Sequence, residues 1–398
     1  MVGLLWGVAL LNYLDRQMLS TMKPTMMLDI PELQSATYFG QLMAIFLWIY
    51  GLTSPIAGIL ADRISKSKLI IGSLFVWSAV TLSMGFATNF QQLYLLRAIM
   101  GISEAIYIPA GLALIATYHS SKTRSLAVGL HMTGLYMGQA LGGFGATIAK
   151  ELSWAHSFQL FGLIGIVYAV VLFLFLRDNA HPSKRIETIQ PSPVSSLRFL
   201  FTTFPFWILL FYFAMSSIPG WAIKNWLPTL LAERLQLDMS IAGPISTISI
   251  AFSSLLGVLI GGTVSDRWVQ KNIRARIFTS AIGLALTIPA LVSLGMGSTI
   301  FHLIAAALFF GLGFGLFDAN NMPILCQIVP ASARATAYGL MNMTGVFAGA
   351  FITDWLGKSV DAGNLARDFI GMAVVIVIVL LIQLIFLRPT VHDVAVKN

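Results

Sequence analysis

The feature that most constrains this 398-residue chain is a succession of long apolar segments separated by short polar connectors. A helix needs about 20 apolar residues to cross the hydrocarbon core of a bilayer, and each segment reaches roughly that length. The segments fall at about 1–22, 38–60, 69–87, 90–117, 124–147, 157–177, 204–230, 240–263, 276–296, 299–327, 334–357 and 367–387. We therefore predict an all-α membrane protein with about twelve transmembrane helices.

Composition excludes several classes of protein. Only 10% of the residues are charged and 57% are hydrophobic, whereas soluble domains carry about 25% charged residues. The net charge of +8 is then no sign of a nucleic-acid partner, and the expected partner is the lipid bilayer. A single cysteine, Cys326, excludes a disulfide framework and a CxxC site. We predict no metal and no cofactor, and no ATP use, because the phosphate-binding Gly-x-x-x-x-Gly-Lys-Ser/Thr loop is missing.

Basic residues are concentrated in alternate connectors. The richer set holds Arg63, Lys66, Lys68, Lys122, Arg124, Arg177, Lys184, Arg185, Arg198, Arg267, Lys271, Arg274, Arg276, Arg334, Arg388 and Lys397. Because cytoplasmic loops carry an excess of Lys and Arg, we predict that these connectors and both termini lie in the cytoplasm. The expected location is the bacterial inner membrane.

The chain divides into two similar halves. A connector rich in Pro, Ser and charge separates an N-terminal six-helix bundle, residues 1–177, from a C-terminal one, residues 204–398, so 178–203 is the predicted cytoplasmic linker. Gly58-x-x-x-Asp62-Arg63 follows the second segment, and Gly262-x-x-x-Asp266-Arg267 follows the eighth. Repeated six-span halves are typical of transporters that bind substrate near the midplane between the halves.

Two combinations of an acid and a base lie inside apolar segments: Asp15 with Arg16 in the first, and Arg97 with Glu104 in the fourth. Each of these charges costs roughly 2.5–3.5 kcal/mol at membrane depth, so such residues usually serve a function. Asp15 and Arg16 are about 100° apart on a helix and cannot comfortably pair with each other. Arg97, Gly101 and Glu104 share one helix face, on which Gly101 allows a close approach. We predict the cross-helix pairs Asp15–Arg97 and Arg16–Glu104; the alternative role for these charges is to stabilise the bundle.

The two Gly-x-x-x-Asp-Arg copies, each followed by basic residues, resemble the loop motif of the major facilitator superfamily, and the resemblance covers essentially the whole chain. Asn12-Tyr-Leu-Asp15-Arg16, Arg97-x-x-x-Gly101-x-x-Glu104 and Trp226-Leu-Pro-Thr229 resemble its anion:cation symporters, which include sialin and the vesicular glutamate, hexuronate and galactonate transporters. This resemblance implies proton coupling for Asp15 and Glu104, substrate binding for Arg16 and a switchable partner in Arg97. Spinster-like lysolipid transporters share the first two patterns, whereas Trp-Leu-Pro-Thr favours the anion symporters.

Other polar residues at membrane depth suit a hydroxylated solute. The predicted substrate-binding set is Arg16, Arg97, Asn12, Tyr13, Tyr50, Gln139, Asn320, Asn321 and Asn342. Asp62, Arg63, Asp266 and Arg267 are predicted to gate the cytoplasmic side, the alternative being solvated loops that only set topology.

Three residues remain open. His131 could relay protons or pack, Lys224 could bind an anion or extend to the interface, and Asp318 could recognise substrate hydroxyls or serve local structure.

The function predicted from these features is proton-coupled symport of a small organic anion, a sugar acid or similar carboxylate, by a monomer using alternating access. The alternative is a Spinster-like lysolipid or amphiphile transporter. An intramembrane enzyme would need a metal cluster or a nucleophile–base pair, and six scattered histidines with one cysteine suggest neither. A sensor that transports nothing is the remaining alternative.

Overall fold

The computed structural model describes residues 1–119, 124–177, 193–330 and 333–389. These residues form α-helices and one short 3₁₀ helix, Pro31–Gln34, and no β-strand. The α-helices are α1 (Val2–Asp29), α2 (Ala36–Arg63), α3 (Lys66–Met84), α4 (Phe90–Tyr118), α5 (Arg124–Gly142), α6 (Gly145–Leu152), α7 (Trp154–Phe175), α8 (Pro193–Thr202), α9 (Phe204–Leu235), α10 (Met239–Trp268), α11 (Ala275–Met296), α12 (Ile300–Asp318), α13 (Asn321–Ile328), α14 (Arg334–Asp361) and α15 (Leu365–Phe386).

Nine stretches within the described ranges are long and apolar enough to span a membrane. The predicted first, fifth and eleventh spans are also helical, as α1, α5 and α14, but fall outside these nine. Their sequences explain the difference, since α1 carries Asp15 and Arg16 while α5 and α14 are rich in Gly, Ala and Thr. The prediction of an all-α, multi-pass membrane protein is confirmed.

Two predicted spans are interrupted. The fifth breaks between α5 and α6, where a side chain on Gly143 would collide with Thr247 of α10, so only glycine permits this approach. The tenth breaks after Asp318 into α12 and α13. Within the predicted linker, residues 193–202 form α8, whereas 178–192 lie outside the described residues.

The helices fall into two compact units. Unit 1 contains residues 1–186, 224–248 and 350–361. Within it α1 packs on α5, α2 on α4, and α3 on both α4 and α7. A side chain on Gly134, Gly138 or Gly142 would meet the backbone of α1, so this glycine face of α5 serves close helix packing.

Unit 2 contains residues 187–223, 249–349 and 362–398. Here α11 packs on α12 and α15. Gly345 and Gly349 of α14 contact Phe213 and Trp221 of α9, so a small-residue face is used for packing in this unit too. The division at 177 and 204 into two six-helix bundles stays a prediction.

Candidate functional site

An ion pair joins α1 to α4 inside unit 1. Nε of Arg16 donates to Oε2 of Glu104 at 2.5 Å, and Nδ2 of Asn12 donates to the same oxygen at 2.9 Å. Asn12 lies one turn before Arg16, so both reach one carboxylate from the same helix face. The predicted Arg16–Glu104 pair is confirmed.

The predicted Asp15–Arg97 pair does not form within the described residues. Oδ2 of Asp15 instead accepts a hydrogen bond from Thr81 on α3 at 3.3 Å. Arg97 directs Nε to the carbonyl of Leu42 at 3.5 Å and Nη1 to the sulfur of Met100 at 3.2 Å. The prediction was wrong because it paired charges only with charges, whereas Arg97 uses a backbone carbonyl of α2.

Aromatic rings surround the two arginines. The Arg16 guanidinium lies 4.8 Å from the ring centroids of Phe46 and Tyr50 and 5.1 Å from that of Tyr13. The Arg97 guanidinium lies 4.5 Å from the same Phe46 ring. Ring faces attract cations, which offsets part of the cost of placing the arginines at membrane depth.

Gly101 places these rings. A Cβ atom at Gly101 would lie 2.6 Å from the carbonyl oxygen of Phe46, so the close approach predicted for this glycine is confirmed. It brings α2 against α4, and Phe46 and Tyr50 then face the same way because they are four residues apart. Phe46 was absent from the predicted site, although its spacing from Tyr50 was a usable signal.

The charged group has an accessible side and an enclosed side. Arg16 keeps 13% of its side chain exposed, and Tyr13, three residues earlier, is also partly exposed. Glu104 is 0% exposed and Asp15 4%. A solute reaching this group would meet Tyr13 and Arg16 first, with both acids behind them.

Among the described residues, several buried polar atoms of this group find no hydrogen-bond partner: Nη2 of Arg16, Oε1 of Glu104 and Oδ1 of Asp15. Buried polar groups are normally satisfied, so orphaned atoms in one cluster require an explanation. The arrangement can accept a carboxylate at the arginine and protons at the two acids.

The other predicted binding residues are placed differently. Asn320 and Asn321 lie at the break between α12 and α13 in unit 2, where Asn321 donates to Asp318 at 3.2 Å. Asn342 is half-buried on α14 in the same unit, and Gln139 is buried on α5 in unit 1.

His131 and Lys224 both lie in unit 1. His131 is fully buried, with its ring 5.9 Å from that of Tyr107 in an edge-on arrangement, which favours a packing role. The carbonyl of Lys224 accepts a hydrogen bond from Gln17 at 2.8 Å. Its ammonium lies 5.9 Å from the Tyr13 ring centroid, so the side chain reaches the accessible side of the charged group.

The predicted gating residues are only partly described. In unit 2, Oδ1 of Asp266 lies 3.4 Å from Nη2 of Arg276 in the first turn of α11. Arg267 is exposed. The side chains of Asp62 and Arg63 lie outside the described residues.

The opposite end of α2 carries a contact that sequence reasoning missed. The carboxylate of Asp361, the last residue of α14, accepts hydrogen bonds from the hydroxyls of Ser35 and Thr37 and from the backbone N–H groups of Ala36 and Thr37, at 2.6 to 2.8 Å. The acid thus caps the N-terminus of α2, where negative charge is favoured. Ser35 was a recognisable helix cap, but nothing in the sequence pairs it with a residue more than 300 positions away.

Two further contacts within unit 1 involve helix ends. Nζ of Lys150 lies 2.6 Å from Oδ1 of Asp238, and Gly357 packs against the backbone of Ala36. We call the contacts of Asp361 and Asp238 the closed end.

Residues 5–353 match the model of the Major Facilitator Superfamily. A probable L-galactonate transporter of Escherichia coli K12 is 28% identical over 68% of this chain, and the match spans 61% of that relative's length. A hexuronate transporter of Bacillus subtilis is 26% identical over 87% of this chain and 89% of its own.

A bacterial homolog of the human lysosomal transporter Spinster, in an inward-facing and occupied conformation, superposes with a TM-score of 0.79 over 96% of this chain and 95% of its own, at 17% identity. That identity shows a shared fold alone.

These matches confirm the resemblance to the anion:cation symporters within the wider family. The matched family and relatives are transporters, which also confirms that the chain is not an enzyme. The chain belongs to the Major Facilitator Superfamily.

Proposed function

We propose that this transporter carries a small organic anion of the sugar-acid class together with protons. The observation that carries the proposal is the shared use of Arg16. Its Nε is held by the enclosed Glu104, while its partly exposed side chain keeps an unused donor, Nη2. The relatives transport hexuronates and galactonates, which are carboxylates of this class.

Competition for Arg16 couples the anion to a proton. A substrate carboxylate and the Glu104 carboxylate are alternative partners for one guanidinium. Protonation of Glu104 removes its charge and weakens its hold on Arg16, so the anion binds more tightly to the protonated carrier. Since buried carboxylates are costly without a cation, loss of the anion favours return of the Arg16–Glu104 pair. Asp15 lies behind Arg16 as a second acid.

Alternating access requires that two ends of the bundle open in turn. The closed end forms one gate in this proposal. It consists of the contact between Asp361 of α14 and the start of α2, and of the ion pair between Asp238 and Lys150. Asp62, Arg63, Asp266 and Arg267 form the gate at the other end of α2 and α10. The Asp266–Arg276 contact supports a switchable role there.

The remaining assignments belong to the same proposal. The protein acts as a monomer in a bacterial inner membrane, with both termini in the cytoplasm. Asn12, Tyr13, Tyr50, Gln139, Asn320, Asn321 and Asn342 contribute hydrogen bonds to substrate, and Arg97 changes partners during the cycle.

Uptake into proteoliposomes tests the function. We expect sugar acids to accumulate when the outside is acidified, and a protonophore to abolish accumulation while leaving exchange intact. Accumulation driven by a sodium gradient alone would overturn proton coupling. Competition distinguishes the alternative: inhibition by lysolipids without inhibition by uronates or aldonates would favour a Spinster-like amphiphile transporter.

A further inference from the structure

Lys224 is held against α1 beside the proposed binding site. Gln17, the residue after Arg16, donates from Nε2 to the Lys224 carbonyl at 2.8 Å. Gln17 is 6% exposed, and its Nε2 also donates to Oγ of Ser20 at 2.7 Å. Two hydrogen bonds therefore fix the orientation of the amide. The backbone at Lys224 is therefore positioned relative to Arg16 by a partly buried hydrogen bond.

Two cations share the ring of Tyr13. The Arg16 guanidinium lies 5.1 Å and the Lys224 ammonium 5.9 Å from its centroid. All three side chains are partly exposed, in contrast to the enclosed Asp15 and Glu104. Two cationic groups thus lie around one aromatic ring on the partly exposed side of the charged group, where one anion can meet both.

An anion with two charges fits this arrangement better than an anion with one. A carboxylate on Arg16 uses the planar guanidinium, while a second carboxylate on the same molecule meets Lys224, which acts as a compact point charge. Both cations lie within 6 Å of one ring centroid, so a six-carbon chain with a carboxylate at each end reaches both. Extension of Lys224 to the membrane interface, the alternative from sequence, does not account for its approach to Tyr13.

We propose that Arg16 and Lys224 form a two-cation site that selects small dicarboxylates over monocarboxylates, with Lys224 as the residue that decides specificity. This inference rests on the proposed binding of a carboxylate by Arg16 and adds the class of anion. It assigns Lys224 no part in proton coupling.

Three probes with one carbon skeleton test the selection: galactarate with two carboxylates, galactonate with one, and galactitol with none. In isothermal titration of the purified protein we expect galactarate to bind at least about tenfold more tightly than galactonate, and galactitol not to bind. Lys224→Gln should weaken galactarate binding about tenfold and leave galactonate binding nearly unchanged. Lys224→Arg, which keeps the charge, should retain the preference.

Lys23→Gln is the matched control. Lys23 is another partly buried lysine of unit 1, with its ammonium 5.8 Å from the ring of Phe39, away from Tyr13. This substitution should change binding of neither acid. Equal binding of both acids by the unmodified protein, or equal loss of both in Lys224→Gln, would overturn the two-cation site and leave the proposed function standing. Binding of neither acid would overturn both.

Discussion

Arg16 binds Glu104 through Nε at 2.5 Å, while Nη2 of Arg16 and Oε1 of Glu104 have no hydrogen-bond partner in the described part of the chain. The ion pair therefore uses part of the hydrogen-bonding capacity of each group. A saturated pair would stabilise the helices and little else, whereas this one retains a donor for a carboxylate and an oxygen for a proton.

Arg16→Lys should weaken sugar-acid binding about 10- to 100-fold, because lysine keeps the charge but loses the planar fork that matches a carboxylate. Arg16→Ala should abolish binding. Isothermal titration measures both. Because Arg16→Ala also leaves Glu104 buried without its cation, the double variant Arg16→Ala/Glu104→Gln serves as the control. It should recover thermal stability without recovering binding, and recovery of binding would contradict the role of Arg16.

Glu104→Gln should exchange substrate across proteoliposomes but fail to accumulate it along a proton gradient. The amide keeps an oxygen for Asn12, whereas it neither titrates nor pairs as an anion with Arg16. Counterflow and uptake driven by acidification separate the two activities. Asp15→Asn should share part of this behaviour. Accumulation by Glu104→Gln equal to that of the unmodified protein would reassign coupling to Asp15.

Asp361→Ala should loosen the closed end. It removes a carboxylate that accepts four hydrogen bonds at the start of α2, and loss of a helix cap costs about 1 kcal/mol, which is about fivefold in a population. Opening of the closed end can be measured by maleimide labelling of Thr353→Cys in a Cys326→Ser background, because Thr353 is 0% exposed. We expect labelling to accelerate about fivefold.

Asp354→Ala is the control for this measurement. Asp354 lies on the same helix and pairs with Lys358, four residues on, at 3.2 Å, and such exposed pairs contribute little. Equally fast labelling in Asp361→Ala and Asp354→Ala would show that any loss of charge on α14 has this effect, and it would contradict the role of the α2 cap.

Acid should weaken the closed end between pH 4 and pH 2. Burial would raise the pKa of Asp361, but the hydrogen bonds from Ser35, Ala36 and Thr37 outweigh it and lower the pKa to about 2. The hydrogen bonds of Lys150 and Ser240 also lower the pKa of Asp238 to about 2. Since both values lie below the ordinary 3.8, the stabilisation is complete above about pH 4 and is lost as pH falls toward 2.

Thermal unfolding between pH 7 and pH 2.5 checks this dependence. The unfolding temperature should fall below pH 4, and the fall should be smaller in Asp361→Asn, which has no carboxylate to protonate. An identical pH profile in the two proteins would exclude Asp361 as a source of the dependence.

Gly101→Ala should destabilise the protein by about 1–3 kcal/mol, because the added methyl group meets the carbonyl of Phe46 on α2. Gly111→Ala on the same helix is the matched control. Its methyl group would meet only the Tyr107 ring, at an ordinary 3.5 Å. Thermal unfolding in detergent should show a loss for Gly101→Ala and none for Gly111→Ala, and equal effects would exclude the close helix approach as the cause.

Much of this protein is determined by local sequence. The apolar segments define a helical membrane protein, because lipid leaves backbone groups no partners except those within a helix. The Arg16–Glu104 pair was also predictable, since charges at membrane depth are costly and few partners for them exist. Spacing along α4 placed Gly101 and Glu104 on one face before any contact was known.

Only the tertiary structure decided the other partners. Asp15 meets Thr81, Arg97 meets the carbonyl of Leu42, and Asp361 caps α2. Hydroxyls, backbone carbonyls and helix ends are numerous in this chain, and nothing in the sequence marks which of them will meet a given charge. Which of them lies beside a given charge depends on how closely helices approach, and that distance is set jointly by glycines and side chains far apart in the chain.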